Sequence, residues 1–316
     1  MKSMRPIQNW SRRIRFGLLN RFVLRPTTDP IDYRPQVRCR VSLLEHDGSD
    51  SVESASHAWI ESFVHRVGST SANGSSNEIA DNGSLDDWRE IPPPNDLVLK
   101  FPGTGGRAER STPFPMQTKV PISKSAEVWT WNPPGYGGSP GEATLKNLSG
   151  AAARWSEKVL AARTQSSTEA IPTRIWLSGN SLGCLPAMHV ASALMDAYPS
   201  AVLWVRNPPD LRRVILNISA RYRATTAMQH VSAVLPKDVD AVDLANRCRI
   251  PAVFLMSEKD ALVLPEYQKA IHSAYSGPSL VVELSGLSHD DVLEEEHRPA
   301  INNALDWAIR RSQRPT

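Results

Sequence analysis

Six short apolar runs, rich in β-branched and aromatic residues, recur along this chain from residue 97 onward, and segments with helical periodicity separate most of them. The runs are LVLKF (97–101), EVWTW (127–131), RIWLS (174–178), AVLWV (201–205), PAVFLM (251–256) and LVVEL (280–284). Strands that are apolar on both faces and alternate with helices predict a mostly parallel, doubly wound sheet with helices on both faces. Ligands bind beyond the carboxyl ends of such strands, so the loops that follow these runs are the first place to look for a site.

The part of the chain before these runs has a different character. Residues 36–44 alternate in the manner of a strand and are followed by turn residues, which predicts an opening β-hairpin. Residues 68–96 are rich in Ser, Gly, Asn, Asp and Pro, which predicts a surface loop. We therefore expect an N-terminal region of residues 1–94 and an α/β core of residues 95–316.

Residues 1–26 form a basic amphipathic segment in which arginines interleave with apolar residues in a helical rhythm. Two interpretations are open at this point. The segment packs against the body of the protein with its arginines in water, or it makes a peripheral contact with an anionic membrane.

The balance of charges excludes one class of function. The chain has 36 Lys and Arg against 33 Asp and Glu, a net charge of +3, which is too even for the clustered basic face of a nucleic-acid-binding protein. The cysteines Cys39, Cys184 and Cys248 are odd in number and lack metal-ligand spacing, so we expect neither a disulfide framework nor a metal site. With no recognisable secretory signal peptide, the sequence predicts a cytoplasmic protein, with membrane association through residues 1–26 as the alternative.

The strongest local motif follows the third apolar run. There Gly179-Asn180-Ser181-Leu182-Gly183 stands between a predicted buried strand and a segment with helical periodicity. This is the strand, sharp turn and helix context of a G-x-S-x-G nucleophile elbow, which holds a serine in a strained conformation with its hydroxyl above the sheet. We predict that Ser181 is a catalytic nucleophile.

A serine hydroxyl needs a base, and the base needs a carboxylate that holds it in the right tautomer. Asp260 follows PAVFLM and His289 follows LVVEL, so both are predicted to lie beyond strand carboxyl ends, in the chain order Ser, Asp, His. We predict Asp260 as the acid and His289 as the general base. Asp210, which follows the preceding run, is the competing acid, and its alternative role is to cap a helix.

A glycine-rich loop, Pro102-Gly103-Thr104-Gly105-Gly106-Arg107, follows the first of the six runs. Such a loop can bring a backbone amide to a substrate carbonyl. We predict that the backbone amides of Thr104 and Leu182 form an oxyanion hole. The loop fits neither a P-loop nor a full dinucleotide-binding pattern, so no organic cofactor is expected.

Five blocks of the sequence together resemble a known family: FPGTGGRAE, WNPPGYGGSPGEAT, WLSGNSLGC, MSEKDALVLPE and GLSHDDV. They are similar to the blocks of α/β-hydrolases of the serine aminopeptidase or abhydrolase type, close to bacterial ABHD13-like esterases, over residues 95–310. The resemblance implies the α/β-hydrolase fold. The chain departs from the family pattern at Pro102, where a histidine is usual, and at Asn132-Pro133-Pro134, where the family has Asp-x-Arg.

These residues predict an acyl-transfer hydrolase with a small-molecule acyl substrate: Ser181 attacks an ester, thioester or amide, and no metal or cofactor takes part. Two rival hypotheses are a non-catalytic binding protein with the same fold and a membrane-peripheral lipid hydrolase anchored by residues 1–26. Residues 209–249 are long enough for one or two lid helices. In that segment four side chains are candidates for an acyl pocket or for plain core, namely Ile215, Leu216, Ile218 and Met228.

Overall fold

The structure, a computed structural model, describes residues 14–15, 17–33, 35–43, 59–68, 83–116, 125–164 and 174–313. Within these residues, nine strands form one sheet in the order β3-β1-β2-β5-β4-β6-β7-β8-β9. The strands are β1 Val37–Ser42, β2 Trp59–Val67, β3 Gly83–Ser84, β4 Asp96–Phe101, β5 Ala126–Trp131, β6 Arg174–Asn180, β7 Val202–Arg206, β8 Ala252–Ser257 and β9 Ser279–Leu284. All six predicted runs are therefore strands.

The sheet is mixed, with its antiparallel part at one edge. Each neighbouring pair from β5 through β4 and β6 to β9 is parallel, whereas β2 pairs antiparallel with both β1 and β5. The predicted opening hairpin is the β1–β2 pair. The sequence did not locate its second strand, β2, and the N-terminal strands continue the same sheet as the strands that follow residue 95. The division of the chain at residues 94 and 95 stays a prediction.

Helices cover both faces of the sheet, as the alternating pattern predicts. The helices span residues 17–23, Leu85–Arg89, Leu145–Thr164, Cys184–Leu194, Leu211–Arg221, Thr225–Ser232, Ala241–Arg247, Pro265–Ser273 and Arg298–Ser312, and residues 14–15 are also helical. One hydrophobic cluster contains the buried side chains of most of these helices. A second cluster, on the other face, contains the buried side chains of Arg298–Ser312. Among the described helices, none combines the length and the apolar character needed to cross a bilayer.

The prediction of a surface loop over residues 68–96 is wrong for residues 83–89. Residues 69–82 lie outside the described residues, but residues 83–84 pair with β1 and residues 85–89 form a helix. Trp88 on that helix is fully buried and packs edge-to-face against Trp129 of β5. Burial of this large aromatic side chain stabilises the helix despite the polar residues around it. The sequence pattern alone did not reveal that Trp88 is buried.

Three helices, rather than one or two, lie between β7 and β8. The third, Ala241–Arg247, packs against Cys184–Leu194 and buries Leu244 and Ala245 completely, so it belongs to the layer that covers the sheet. The expectation of at most two lid helices therefore concerns the other two, Leu211–Arg221 and Thr225–Ser232, which pack against each other.

An aromatic cluster beneath the carboxyl end of β4 joins three elements. Trp155 of the helix Leu145–Thr164 stacks on Trp131 of β5 at 5.7 Å and meets Phe101 of β4 edge-to-face at 5.6 Å. Its indole Nε1 donates a hydrogen bond to Ser62 Oγ of β2 at 2.8 Å. The buried indole thus satisfies its only polar group while it packs against the sheet.

We predict that Trp155→Ala lowers the free energy of unfolding by about 3–5 kcal/mol, because it leaves a large cavity and an unpaired Ser62 hydroxyl. Denaturant titration followed by circular dichroism measures the loss. The control, Val292→Ala, removes a side chain that is 80% exposed and should change stability by no more than about 0.5 kcal/mol. Equal effects of the two changes would contradict this description of the core.

Candidate active site

The candidate site lies at the point where the order in which strands are added to the sheet changes direction. From β4 the chain crosses to β5 on one side and then returns to β6 on the other, so β4 has β5 and β6 as neighbours. At such a switch point the loops that follow the two adjacent strands separate and leave a crevice. The glycine-rich loop after β4 and the Ser181 motif after β6 border this crevice.

Ser181 lies on a sharp turn that only a particular local sequence allows. Its φ is +50°, a left-handed conformation that costs a non-glycine residue free energy. A Cβ on Gly179 would lie 2.6 Å from the Cα of Cys184, and a Cβ on Gly183 would overlap the carbonyl oxygen of Phe101. Both glycines are thus required for close packing, and the helix Cys184–Leu194 begins directly after the turn. The structure has the elbow geometry that the motif predicts.

Three predicted side chains form one chain of hydrogen bonds. The His289 Nε2 atom lies 2.9 Å from Ser181 Oγ, and the His289 Nδ1 atom lies 2.6 Å from Asp260 Oδ2. In the sequence, His289 is 108 positions from Ser181 and 29 positions from Asp260. The distances lie within the range required of a nucleophile, a base and an orienting acid.

Hydrogen bonds from groups other than His289 hold the side chain of Asp260 in place. Its Oδ1 accepts backbone hydrogen bonds from Leu262 at 2.9 Å and Val263 at 2.8 Å, and its side chain is fully buried. Gln268 Nε2 donates to Asp260 Oδ2 at 3.3 Å. Because these donors stabilise a carboxylate and set its orientation, Oδ2 is left facing His289.

The competing acid has a different position. Asp210 is the N-cap of the helix Leu211–Arg221, where its Oδ1 accepts the amide of Arg213 at 3.1 Å. Its Oδ2 also lies 3.2 Å from the Arg213 guanidinium. The structure therefore places Asp210 in the helix-capping role and brings Asp260 to the histidine.

Two residues at the end of β7 support the histidine loop, and the sequence reasoning missed both. Asn207, fully buried with φ of +52°, exchanges hydrogen bonds with Ser257 of β8 and donates to the His289 carbonyl at 3.4 Å. Arg206 donates to the Asp291 carbonyl at 2.6 Å. Burial lowers the pKa of Arg206, and the carboxylates of Asp260, Asp291 and Asp290 act in the opposite direction. The one feature of the sequence that could have indicated Arg206 and Asn207 is their position directly after the apolar run AVLWV.

The predicted oxyanion residues both line the crevice beside Ser181. Thr104 and Leu182 belong to the wall of one cavity that also contains Ser181. Leu182 lies in the first turn after the elbow, where backbone N–H groups have no acceptor within the helix. Gly103 brings the loop against the elbow, because a Cβ there would lie 3.1 Å from the Asn180 carbonyl oxygen.

A buried polar network holds the glycine-rich loop and accounts for one departure from the family pattern. Asn132 is fully buried, donates from Nδ2 to Glu61 at 2.8 Å and to Glu109 at 3.0 Å, and accepts the Ala108 amide at 2.9 Å. An aspartate at this position would place three carboxylates together, so an amide suits these neighbours. Arg107 pairs with Glu109.

The crevice opens into a cavity of about 580 Å³, a volume typical of small-molecule sites. Apolar side chains dominate its wall. From residue 182 onward, the apolar residues of the wall are Leu182, Pro209, Leu211, Val214, Ile215, Ile218, Tyr222, Leu262 and Val263. Of the four predicted pocket candidates, Ile215 and Ile218 line the cavity, whereas Leu216 is outside the lining and Met228 packs against the core.

The N-terminal segment forms another part of the cavity wall, which sequence reasoning did not anticipate. Phe22, Val23 and Arg25 line the cavity. The segment is held there because the carbonyl of Leu24 accepts hydrogen bonds from the Gly105 amide at 3.0 Å and from the Tyr136 hydroxyl. The described part of residues 1–26 thus packs against the body of the protein next to the candidate nucleophile.

The described residues give little support to a cysteine nucleophile or a metal site. The Cys184 thiol, three residues after Ser181, is fully buried and donates to the Arg206 carbonyl at 3.2 Å, and burial raises its pKa. A thiol of this kind is a poor nucleophile. Within the part of the chain that the structure describes, no group of three or more His, Cys, Asp or Glu side chains is arranged to hold a metal ion.

Comparison with known proteins identifies the fold. No family model matches this chain, and no curated protein matches its sequence. Among solved structures, acetyl xylan esterase 1 from Thermoanaerobacterium superposes with a TM-score of 0.53 at 9% identity, over 94% of this chain and 93% of that one. An esterase from Pyrococcus furiosus gives 0.51 at 11% identity, over 91% and 98% of the chains. DcsB, solved with a substrate analogue, gives 0.54 at 12% identity, over 81% and 96%.

These similarities, together with the sheet order and the helices on both faces, show that the chain has an α/β-hydrolase fold. The fold predicted from the sequence is confirmed. Identities this low establish the fold alone, so the chemistry of the site has to be argued from its own residues.

The packing at the elbow predicts opposite effects for two glycine substitutions. Gly183→Ala should lower the free energy of unfolding by about 3 kcal/mol or more, because the new Cβ would overlap the β4 backbone. Gly150→Ala, inside the helix Leu145–Thr164, meets only a side-chain atom of Arg154 at 3.9 Å and should stabilise by up to about 1 kcal/mol. Thermal melts of both variants provide the measurement. A Gly183→Ala protein as stable as the wild type would refute the description of the elbow.

Proposed function

We propose that this protein is a serine hydrolase that cleaves carboxylic esters, thioesters or amides through an acyl-enzyme on Ser181. The observation that carries the proposal is the continuous set of hydrogen bonds from Ser181 through His289 to Asp260 at the carboxyl edge of the sheet. A non-catalytic protein would have no need for a strained serine conformation beside a buried, fully oriented carboxylate.

The first half-reaction follows from the positions of the three side chains. His289 Nε2 accepts the hydroxyl proton while Ser181 Oγ attacks the acyl carbonyl carbon, and Asp260 stabilises the imidazolium that forms. The tetrahedral oxyanion accepts hydrogen bonds from the amides of Thr104 and Leu182. Collapse of the intermediate breaks the bond to the leaving group, which takes the proton from His289.

The second half-reaction repeats these steps with water. His289 removes a proton from a water molecule that attacks the acyl-enzyme, and the second tetrahedral intermediate releases the acid and restores the Ser181 hydroxyl. Apart from this water molecule and the substrate, the steps use protein groups alone, so the proposal needs no metal and no organic cofactor.

The cavity favours an acyl substrate with a substantial apolar part. Its wall combines aliphatic side chains of the helix Leu211–Arg221 with Phe22 and Val23 of the N-terminal segment. We interpret the helices Leu211–Arg221 and Thr225–Ser232 as the lid. Acyl-chain length and the choice between ester, thioester and amide are set by the shape of this wall. The resemblance to ABHD13-like esterases stays a prediction, as does a cytoplasmic location.

The central prediction is that Ser181→Ala abolishes covalent labelling by a fluorophosphonate probe and lowers kcat/KM on a p-nitrophenyl ester by at least about a thousandfold. The fold should be unchanged, because the hydroxyl takes part in the chemistry and not in core packing. Ser192→Ala, which removes a hydroxyl from the following helix, is the matched control and should label as the wild type does. Labelling that survives Ser181→Ala would disprove the assignment, and absence of labelling in the wild type would favour the non-catalytic rival.

A second prediction separates the two candidate acids. Asp260→Asn should retain the fold but favour the wrong histidine tautomer, with a loss in kcat of about four orders of magnitude, as the corresponding change causes in serine proteases. Asp210→Asn should leave kcat nearly unchanged and change stability by no more than about 0.5 kcal/mol, because asparagine caps a helix about as well as aspartate. Steady-state kinetics and denaturant titration of both variants give the two readouts. If instead Asp210→Asn removed activity and Asp260→Asn did not, the acid assignment would be wrong, although Ser181 and His289 would stand.

A further inference from the structure

Some large apolar side chains of this protein are exposed, and one of them lines the cavity. In the described part of the chain they are Ile14, Leu18, Tyr222 and Val292, with exposed fractions of 44%, 54%, 76% and 80%. Tyr222 lines the cavity and is still largely exposed, so it lies at the mouth. Exposed apolar surface that continues into a cavity is typical of an interaction site.

One of these residues, Leu18, extends an apolar stripe that begins inside the cavity, and Ile14 precedes it in the chain. Leu18 and Phe22 are four residues apart in the helix of residues 17–23, and this spacing places their side chains on one face. Phe22 lines the cavity, whereas Leu18 and Ile14 are exposed. The stripe therefore leads from open solvent to the wall beside Ser181.

The N-terminal segment and the lid adjoin each other at the mouth. Arg15 Nη1 lies 3.3 Å from the carbonyl of His230, which belongs to the helix Thr225–Ser232. Tyr222 caps the end of the preceding helix, Leu211–Arg221. The exposed apolar side chains of the two elements thus belong to one surface.

The charges on this surface have one sign. Residues 14–25 contain three arginines and residues 211–232 contain four, and neither range contains an Asp or a Glu. Arg213 is paired with Asp210, and Arg221 donates to the Ala261 carbonyl. Other exposed arginines stand next to the apolar residues. We define the mouth surface as Ile14, Leu18, Arg21, Arg25, Tyr222 and Arg223.

Val292 lies outside this surface because its surroundings have the opposite charge. Residues 290–296 read DDVLEEE, with five acidic residues. The mouth therefore has a basic, apolar side, formed by the N-terminal segment and the lid, and an acidic side, formed by the histidine loop. This asymmetry gives an orientation to any partner of uniform charge.

We propose that the mouth surface docks on an anionic lipid bilayer, from which an apolar ester passes into the cavity. The proposal rests on the proposed hydrolase function and specifies its substrate class as lipid-borne esters. Arginines beside exposed aliphatic and aromatic side chains fit a surface that has negative charge at its boundary and hydrocarbon below it. The stripe from Leu18 to Phe22 provides an apolar path that a soluble substrate would not require.

Vesicle flotation of the full-length Ser181→Ala protein tests the docking without hydrolysis. We expect flotation with vesicles of phosphatidylcholine and phosphatidylglycerol, weaker flotation with phosphatidylcholine alone, and release at high salt. The double variant Ile14→Ser/Leu18→Ser should lower the partition coefficient by about tenfold or more, because its apolar area no longer enters the lipid. Arg21→Gln should lower it about fivefold.

The matched controls are Val292→Ser, on the acidic side of the mouth, and Arg310→Gln, an exposed arginine on the last helix. In the Ser181→Ala background, both variants should float as the Ser181→Ala protein itself does. In the Ser181 background, the double variant should lose kcat/KM on a vesicle-borne ester in the same proportion as its partition coefficient. It should keep kcat/KM on soluble p-nitrophenyl butyrate, since neither Ile14 nor Leu18 lines the cavity.

Absence of flotation with the anionic vesicles would overturn the proposal. So would a double variant that floats normally, or an equal loss from Val292→Ser. A dimer in solution that the double variant dissociates, without vesicle binding, would assign the surface to a second copy of this chain instead. Fluorophosphonate labelling in vesicle-free buffer reports on the hydrolase function alone, so labelling without flotation rejects only the docking, and flotation without labelling rejects only the hydrolase.

Discussion

The contact between Gly183 and the end of β4 underlies the geometry of the whole site. Because Gly183 has no side chain, the turn after β6 rests directly on the carbonyl oxygens of Phe101 and Pro102. This contact places Ser181 and the loop that contains Thr104 on either side of one crevice. It is available only because β4 and β6 are neighbours at the switch point of the sheet. The strained φ of Ser181 persists because packing on both sides of the turn leaves no alternative conformation.

A second constraint is the buried polar network behind the glycine-rich loop. Glu61 and Glu109 are buried carboxylates, and Asn132 bridges them while Arg38 and Arg107 each pair with one. Buried ion pairs contribute little net stability compared with apolar packing, but the loss of one partner costs about 3–5 kcal/mol. The network therefore fixes a geometry more than it adds stability. Arg38 and Glu61 belong to β1 and β2, so strands outside the region of family resemblance help to hold the loop beside Ser181.

The three proposed catalytic side chains come from separate strand ends, which keeps each one rigid. Ser181 follows β6, Asp260 follows β8 and His289 follows β9, while Asn207 after β7 ties the loops together. Side chains placed in this way inherit the fixed spacing of a parallel sheet. The other cavity-lining elements, the N-terminal segment and the helices after β7, lie outside these strand ends but contact the same loops. The Leu24 carbonyl accepts the Gly105 amide, and Arg221 donates to the Ala261 carbonyl.

The six strands, the elbow and the order Ser, Asp, His could be predicted from the sequence, because each depends on a local pattern of apolar residues, glycines or turn residues. Proximity of Ser181, Asp260 and His289 followed from the rule that parallel strands end at one edge. The position of strand β2, its pairing with β5, the buried Trp88 and the supporting role of Asn207 were not predictable, since each depends on partners distant in the chain. The cavity wall was predictable only in part: Ile215 and Ile218 line it as predicted, whereas Phe22 and Val23 depend on packing of a distant segment. Residues 1–26 alone permitted docking on the protein or on a membrane, and only the tertiary structure placed Phe22 in the cavity and left Leu18 exposed, because burial is decided by what the rest of the chain packs against.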